Sequence, residues 1–246
     1  MNVFHTRGVP AALIALLFAV VARAIGSVTD GGAIAGIVVA FILMLSAGYA
    51  GFVPLLTLFI LTALATRWGR RRKERLGLAE HSRGRTGSQV LANLGAAACC
   101  ALPVVWFPEY SNLLLAAAMA ALAEAAADTV SSEMGQASAR KAYLIVGFRS
   151  VPIGTNGGIS LLGTISGAVA ASLLAWVSGV AGIVSGFWIP VIAVAGTVGM
   201  LVDSLIGATW ENSGRMGNDS VNFVSTVFAA DLTIVAALVI ERFGQR

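Results

Sequence analysis

Acidic residues and a glycine-rich loop follow one another between residues 127 and 163, and together they could bind a divalent cation and phosphate. Asp128 and Glu133 lie at the end of an apolar run, in the segment ADTVSSEMG. The next apolar run begins with VPIGTNGGISLLG, whose glycine loop spans residues 154–158. Carboxylate oxygens are ligands that Mg²⁺ prefers, and backbone N–H groups of a glycine turn at a helix start can cradle phosphate. The stretch therefore predicts a site for a phosphorylated substrate.

The glycine loop is not a P-loop, because it lacks the Lys-Ser/Thr pair that ends that motif. Its glycines still allow backbone conformations that direct several N–H groups at one anion. Polar residues near the ends of other apolar runs could complete the site. The candidate substrate- and phosphate-binding residues are Asn93, Ser132, Gly154, Thr155, Asn156, Gly157, Gly158, Ser160 and Asn222.

Three acidic residues are candidate metal ligands. Asp128 and Asp203 are the strongest candidates and Glu133 is the third, with a structural hydrogen bond or a helix cap as the alternative role for each. Magnesium suits two or three acids at a membrane surface, since it keeps several waters when bound. Glu124 and Asp231 are left without a role, because a packed acid or one that reaches toward the interface explains them equally well.

The composition indicates that membrane helices must position these residues. The chain is 57% hydrophobic and only 11% charged, whereas a soluble domain has about 25% charged residues. Apolar runs close to the ~20 residues that cross a bilayer recur throughout. We predict an all-α, polytopic helical bundle of about eight transmembrane helices that forms a single domain over residues 1–246. The predicted spans are 9–25, 33–49, 52–66, 88–106, 113–130, 159–176, 187–210 and 221–240.

The basic residues predict the orientation of the bundle. Eight of the 16 Lys and Arg residues lie between Arg67 and Arg85, and such clusters are typical of cytoplasmic loops. This places loops 67–88, 131–158 and 211–221 in the cytoplasm and both termini outside, as in a bacterial inner-membrane protein. The candidate site then lies on the cytoplasmic side. A nucleic-acid partner is excluded, because the basic cluster is a loop between two spans.

Small residues are frequent within the predicted spans. Gly163 and Gly167 form a GxxxG pair, and Gly199 shares one predicted helix face with Asp203. Close helix packing explains most of these glycines. Because the same motif serves packing within a chain or between two copies, the oligomeric state stays open.

Five separated segments resemble one integral-membrane family. They are TRWGRRRK, GSQVLAN, ADTVSSEMG, VPIGTNGGISLLGT and VDSLIGATW, in that order. The family is that of transmembrane protein 19, whose plant member is the phytyl-phosphate kinase of tocopherol synthesis, and the similarity extends over about residues 27–226. The departures are Val130 for an aromatic residue, Ile153 for a proline and Trp210 for a glutamine. None of them removes an acid or a loop glycine.

The resemblance implies a membrane kinase that phosphorylates an isoprenyl, phytyl-like monophosphate to the diphosphate. Its partners would be the lipid substrate, membrane lipids, Mg²⁺ and a nucleoside triphosphate, either CTP or ATP. On this interpretation Asp128 and Asp203 are catalytic through the metal, and Lys73 and Arg85 orient phosphates beside the glycine loop. The sequence does not determine which nucleotide is the donor, how long the prenyl chain is or whether that chain is saturated.

Two other functions are alternatives to the kinase. A transporter or flippase of a lipid phosphate or small anion would also use intramembrane acids and a glycine-interrupted helix. The chain shows no convincing internal repeat, and its polar residues gather on one side rather than at the bilayer midplane. A structural or assembly protein would explain the small residues but not the acids within the spans.

Overall fold

The computed structural model describes residues 3–78 and 84–244, and most of these residues are helical. Short 3₁₀ segments continue or precede several of the helices, at Tyr49–Gly51, Leu102–Val105 and Pro108–Tyr110. The helices are α1 (Val3–Ala24), α2 (Asp30–Ala47), α3 (Phe52–Arg67), α4 (Arg70–Arg75), α5 (Gly87–Ala101), α6 (Ser111–Ser138), α7 (Leu161–Val180), α8 (Trp188–Ile206) and α9 (Asn218–Gly244).

Seven helical segments of the described chain are long and apolar enough to cross a membrane. A shorter apolar helix, Gly8–Ala24, lies within α1. Each of the eight predicted spans corresponds to one helix, so the predicted polytopic helical bundle is confirmed. The orientation of the bundle in the membrane stays a prediction. Part of the predicted loop 67–88, residues 79–83, lies outside the described residues.

Helix α6 is the centre of the bundle. From Leu115 to Ala127 every residue is buried, and most of them are alanines. Small side chains let neighbouring helices approach closely, and α6 packs against α3, α5, α7, α8 and α9. On α7, for example, a Cβ atom at Gly167 would lie 2.7 Å from the carbonyl oxygen of Ala127. This contact supports the packing interpretation of the GxxxG pair.

The predicted end of the fifth span is wrong by two helical turns. The sequence predicts a loop from residue 131, but α6 continues to Ser138. Residues 131–138 contain no proline, and the good helix formers Glu133, Met134, Gln136 and Ala137 offset the weaker helix propensity of Gly135. Glu133 therefore lies on α6, five residues after Asp128, rather than in a loop.

A small β-sheet, which the sequence analysis did not predict, follows α6. Its strands are β1 (Ala142–Leu144), β2 (Ser150–Val151) and β3 (Gly158–Ile159), in the order β2-β1-β3, and both pairings are antiparallel. Tyr143 lies opposite Ser150 on one side and Ile159 on the other. The glycine loop connects β2 to β3, and the sheet therefore fixes both ends of that loop.

Four polar segments meet at one end of the bundle: residues 25–29 between α1 and α2, and the described parts of the segments predicted as loops at 67–88, 131–158 and 211–221. The first two are joined by a parallel bridge between Val28 and Arg85. The second and third are joined by Arg72, whose guanidinium donates to the carbonyl oxygen of Ala139 (2.5 Å). The third and fourth are joined by the side chain of Asn212, which donates to the carbonyl oxygen of Asn156 (3.1 Å). These contacts bring polar residues from distant parts of the sequence to one face.

Candidate phosphate and metal site

A polar cavity of about 270 Å³ opens at the end of the bundle where these loops meet. All but one of the predicted site residues line it. They are Arg85, Asn93, Asp128, Ser132, Glu133, Gly154, Thr155, Asn156, Gly157, Gly158, Ser160, Asp203 and Asn222. The exception is Lys73, which lines a neighbouring cavity instead. The structure thus brings together groups that the sequence separates by more than a hundred residues.

The two principal acids come from parallel helices, α6 and α8. Their arrangement is set one turn deeper, where Glu124 of α6 packs against Gly199 of α8. Asp128 and Asp203 are each four residues further on, so both point toward the cavity. The Oδ2 atom of Asp203 accepts a hydrogen bond from Ser225 Oγ on α9 (3.0 Å). Three helices therefore position the acidic wall of the site.

Glu124 itself lies beneath the cavity rather than on its wall. Its side chain is 1% exposed. Among the described residues its Oε1 atom has no hydrogen-bond partner. Asp231, the other acid without an assigned role, is exposed on α9 and lines neither cavity.

A third acid on the cavity wall, Glu211, was missed by the sequence analysis. Glu211 was predicted to begin the loop 211–221, but it ends a π-helical turn, Gly207–Glu211, that continues α8. Such turns are frequent at functional sites because the extra residue changes the direction of the side chains. Here the turn brings Glu211 to the same cavity as Asp128 and Asp203. The sequence did contain one signal for Glu211: it is an acidic residue directly after the apolar span that carries Asp203.

The donor set of the cavity fits magnesium that is bound partly by a substrate. Among the residues that the structure describes, no three His, Cys, Asp or Glu side chains form a complete metal site. Magnesium, however, is usually bound by one or two carboxylates together with waters and substrate phosphates. Carboxylates from two helices beside a potential phosphate loop satisfy that requirement. The metal itself stays a prediction.

The glycine loop is a tight turn that packs against the π-helical turn. Within it, Thr155 accepts a backbone hydrogen bond from Gly158 (2.8 Å). Gly157 has φ +71°, and a Cβ atom there would lie 2.4 Å from the backbone nitrogen of Ala208. Only glycine meets both requirements at this position. Ser160, at the far end of the loop, caps α7 by accepting from the Gly163 N–H (3.1 Å).

We expect Gly157→Ala to detach the loop from the π-helical turn. The substitution adds a backbone clash to the left-handed strain of about 1–2 kcal/mol. The readout is hydrogen exchange of the Ile145 amide, which donates to the Gly157 carbonyl oxygen (3.0 Å). Its exchange should accelerate at least about tenfold, since each 1.4 kcal/mol of lost stability is a factor of ten.

Gly147→Ala is the matched control, because Gly147 has φ +78° but no heavy atom within 4 Å of its Cβ position. That variant carries the backbone strain without the clash. Equal effects of the two substitutions on the Ile145 amide would contradict the close packing inferred at Gly157.

Arg85 connects the basic loop to α6. Its backbone N–H donates to the Ser27 carbonyl oxygen, and its own carbonyl accepts from the Thr29 N–H, both at 3.0 Å. The guanidinium donates to Thr129 Oγ1 (3.4 Å), next to Asp128 on α6. Ser27 and Thr29 thus hold the main chain of Arg85 without using its side chain. Most of the five N–H donors of the guanidinium can therefore bind a ligand in the cavity.

Lys73 and Glu133 form a buried ion pair with each other. The Nζ atom of Lys73 also donates to the carbonyl oxygens of Ala65 (3.3 Å) and Thr66 (2.6 Å), near the end of α3. An ammonium has three N–H donors, and all three are used. Lys73 therefore joins α3, α4 and α6 in this structure. Its predicted phosphate contact, like the metal contact of Glu133, would require this pair to open.

Residues 13–230 match the family described as integral membrane protein DUF92. The chain belongs to this family. The family resemblance seen in the motifs is thereby confirmed. No solved structure matches the fold.

Relatives of the chain come from Synechocystis, Methanocaldococcus jannaschii and Arabidopsis thaliana. The chain is 32% identical to the uncharacterized membrane protein sll0875 of Synechocystis over 80% of its own length and 78% of that protein. It is 33% identical to the uncharacterized membrane protein MJ0933 of Methanocaldococcus jannaschii, over 80% of each chain. It is 30% identical to the chloroplastic protein VTE6 of Arabidopsis thaliana, over 80% of its own length and 60% of that protein.

In this DUF92 protein we expect Lys73→Met to lower the free energy of unfolding by about 3–5 kcal/mol, because it leaves Glu133 buried without its counter-charge. The double variant Lys73→Met/Glu133→Met should recover most of that loss, since no charge is then left unpaired. Unfolding in detergent, followed by tryptophan fluorescence, measures both variants.

The exposed pair between Arg70 and Glu74 (2.8 Å) is the control for this experiment. Arg70→Met should change the free energy of unfolding by less than about 1 kcal/mol, because water screens the pair. A double variant as unstable as Lys73→Met would show that the hydrogen bonds from Lys73 to the carbonyl oxygens of α3, rather than its pairing with Glu133, stabilise the fold.

Proposed function

We propose that this protein is a membrane kinase that phosphorylates an isoprenyl monophosphate to the diphosphate, with a nucleoside triphosphate as donor. An oxygen of the acceptor phosphate forms a bond to the terminal phosphorus of the donor. The bond from that phosphorus to the bridging oxygen breaks, and the nucleoside diphosphate leaves. The observation that carries the proposal is the cavity where Asp128, Asp203 and Arg85 lie beside the glycine loop at one end of a membrane bundle.

The residues of the cavity supply charge and position rather than a covalent catalyst. The acceptor phosphate is already a nucleophile at neutral pH, and phosphoryl transfer depends mainly on orientation and charge compensation. Asp128 and Asp203 would hold Mg²⁺, which when bound neutralises charge on the phosphate oxygens. Glu211 lines the same cavity and adds negative charge to it, whereas Glu133 is paired with Lys73. Arg85 and the loop 154–158 orient the phosphates.

The family supports this substrate class. The five sequence motifs resemble the family that includes the plant phytyl-phosphate kinase, and the chain is 30% identical to the plant protein VTE6. A membrane-embedded site also suits the substrate physically. Withdrawing a prenyl chain from the bilayer would cost about 0.8 kcal/mol per CH₂ group, whereas a membrane enzyme can meet the headgroup at the interface.

The location of the cavity favours a kinase over a transporter. Substrate sites of secondary transporters lie near the bilayer midplane between repeats, and this cavity is instead bounded by the polar loops at one end. That end carries most of the basic residues. We therefore place it on the cytoplasmic side of a bacterial inner membrane, where nucleotides are available.

Incubation of the purified protein with prenyl monophosphates, labelled ATP or CTP, and Mg²⁺ tests the proposal. We expect labelled prenyl diphosphate, identified by mass spectrometry, and no product from the corresponding prenyl alcohol. Movement of a prenyl phosphate across proteoliposomes without nucleotide consumption, together with no diphosphate, would favour the transporter and refute the kinase.

A further inference from the structure

A second cavity lies inside the membrane part of the bundle, between α1, α2, α3 and α5. Its volume is about 320 Å³, and apolar side chains form most of its wall. Representative residues are Phe18 and Ala22 from α1, Gly36 from α2, and Leu58 and Phe59 from α3. Neither the acids of the polar cavity nor the glycine loop contributes to it. A ligand of this cavity would therefore be mostly apolar.

The mouth of this apolar cavity is basic. Arg67, Arg70, Lys73 and Arg85 all line the cavity. Lys73 is paired with Glu133 and Arg70 with Glu74, so the positive charge offered to a ligand comes mainly from Arg85 and the exposed Arg67. Of the residues that the structure describes, none that lines this cavity is acidic. An apolar channel with a cationic entrance at the membrane surface selects a hydrocarbon chain that ends in an anionic group.

The two cavities share part of one wall. Arg85 and Asn93 line both of them, and the Arg85 guanidinium reaches α6 at Thr129, one residue from Asp128. Asn93 is 6% exposed, and its side-chain amide donates to the Gln89 carbonyl oxygen (2.8 Å). An anionic headgroup at this wall would face the acids and the glycine loop, while its tail remained among α1, α2 and α3.

We propose that the apolar cavity binds the hydrocarbon tail of the isoprenyl phosphate acceptor, with the acceptor phosphate held at Arg85 and Asn93. The assignment rests on the proposed kinase function for the identity of the ligand. It adds the location of the tail and the residues that pass the headgroup to the polar cavity.

The cavity should also select the length of the prenyl chain. Its wall follows α3 from Leu55 to Arg67, a distance of about 18 Å at 1.5 Å per helical residue. Gly36 lies on this wall, and a Cβ atom there would meet no heavy atom within 4 Å. A larger side chain at position 36 would therefore project into the cavity without disturbing the backbone.

Photolabelling locates the tail without any reaction. A farnesyl monophosphate analogue with a diazirine on its terminal isoprene unit is irradiated with the purified protein in nanodiscs, without nucleotide. We expect labelled peptides from α1, α2 or α3, and displacement of the label by geranylgeranyl monophosphate. Labels confined to α7, α8 or α9, or equal displacement by phosphatidylglycerol, would overturn the proposal, the second because a general lipid site would explain it.

Gly36→Phe is the blocking variant, and Val38→Phe is its matched control. Val38 is on the same helix but 48% exposed to the outside, and it does not line the cavity. Gly36→Phe should reduce labelling by about tenfold or more, the scale of a misfit in an apolar pocket, while Val38→Phe leaves it unchanged. Thermal unfolding of both variants checks the fold. Unchanged labelling in a folded Gly36→Phe variant would refute the tail site.

The same samples separate this proposal from the kinase assignment. Labelling of the apolar cavity in a protein that forms no diphosphate would leave the tail site standing and refute the kinase. Diphosphate formation with labels only elsewhere would leave the kinase standing and refute the tail site. With both functions intact, Gly36→Phe should reduce turnover of geranylgeranyl monophosphate more than that of geranyl monophosphate.

Discussion

Asp128→Asn is expected to lower the rate of prenyl diphosphate formation by about 10²–10³-fold, because it removes the charge of a carboxylate proposed to bind Mg²⁺ while keeping the shape of the side chain. Metal-assisted charge stabilisation contributes several kcal/mol to such reactions, and each 1.36 kcal/mol is a factor of ten in rate. Asparagine retains one carbonyl oxygen, so some cation binding should persist. Initial rates at saturating donor, acceptor and Mg²⁺ measure the effect.

Asp231→Asn is the control for Asp128→Asn. Asp231 also lies on a membrane helix, but its side chain is exposed and lines neither cavity. That variant should keep its activity. Equal thermal stability of the two variants would show that the loss at Asp128 is chemical, and full activity of a folded Asp128→Asn protein would refute its role as a metal ligand.

The convergence of Asp128, Asp203 and Asn222 could be predicted from the sequence because of the membrane. Apolar spans fix how many times the chain crosses, and alternate loops then share a side. A polar residue near the end of a span has few acceptable positions, since exposure to lipid is costly. Counting spans was therefore enough to place these three residues at one end, where the structure has them lining one cavity.

The pairing of Lys73 with Glu133 could not be predicted in the same way. The sequence separates them by 60 residues, and the predicted loop from residue 131 removed Glu133 from α6. Which cation a buried carboxylate contacts depends on helix rotation and on the short helix α4, neither of which hydrophobic patterns determine. Glu211 was missed for a related reason, because a π-helical turn changes the direction of a side chain without a pattern in the sequence.

The three-stranded sheet was missed because its strands are only two or three residues long. Such strands are too short for an alternating pattern, which needs about four residues or more. In the sequence, residues 142–159 resemble a polar connection that contains glycines. Their backbone hydrogen bonds form between strands that are separated along the chain, so no local pattern indicates them. The apolar cavity was missed as well, since a gap between helices depends on packing that composition does not specify.

Arg85→Met is expected to lower kcat/KM for the prenyl phosphate by about 10–100-fold, since a hydrogen bond to a charged group contributes roughly 1.5–3 kcal/mol. Methionine keeps the apolar stem that lines both cavities but has no donors. The backbone contacts of residue 85 with Ser27 and Thr29 do not involve its side chain, so the loop should stay in place. Steady-state kinetics with varied acceptor at fixed donor measure the change.

Two further variants distinguish the local role of Arg85 from general attraction by the basic loop. Arg75→Met removes an exposed charge that lines neither cavity, and it should leave kcat/KM nearly unchanged at physiological salt because exposed charges are screened. Arg85→Lys keeps the charge but not the planar donors, so it should recover only part of the activity. If Arg75→Met were as harmful as Arg85→Met, the basic loop would act only through its summed charge. Full activity of the Arg85→Lys variant would likewise show that orientation of the acceptor phosphate does not depend on the guanidinium.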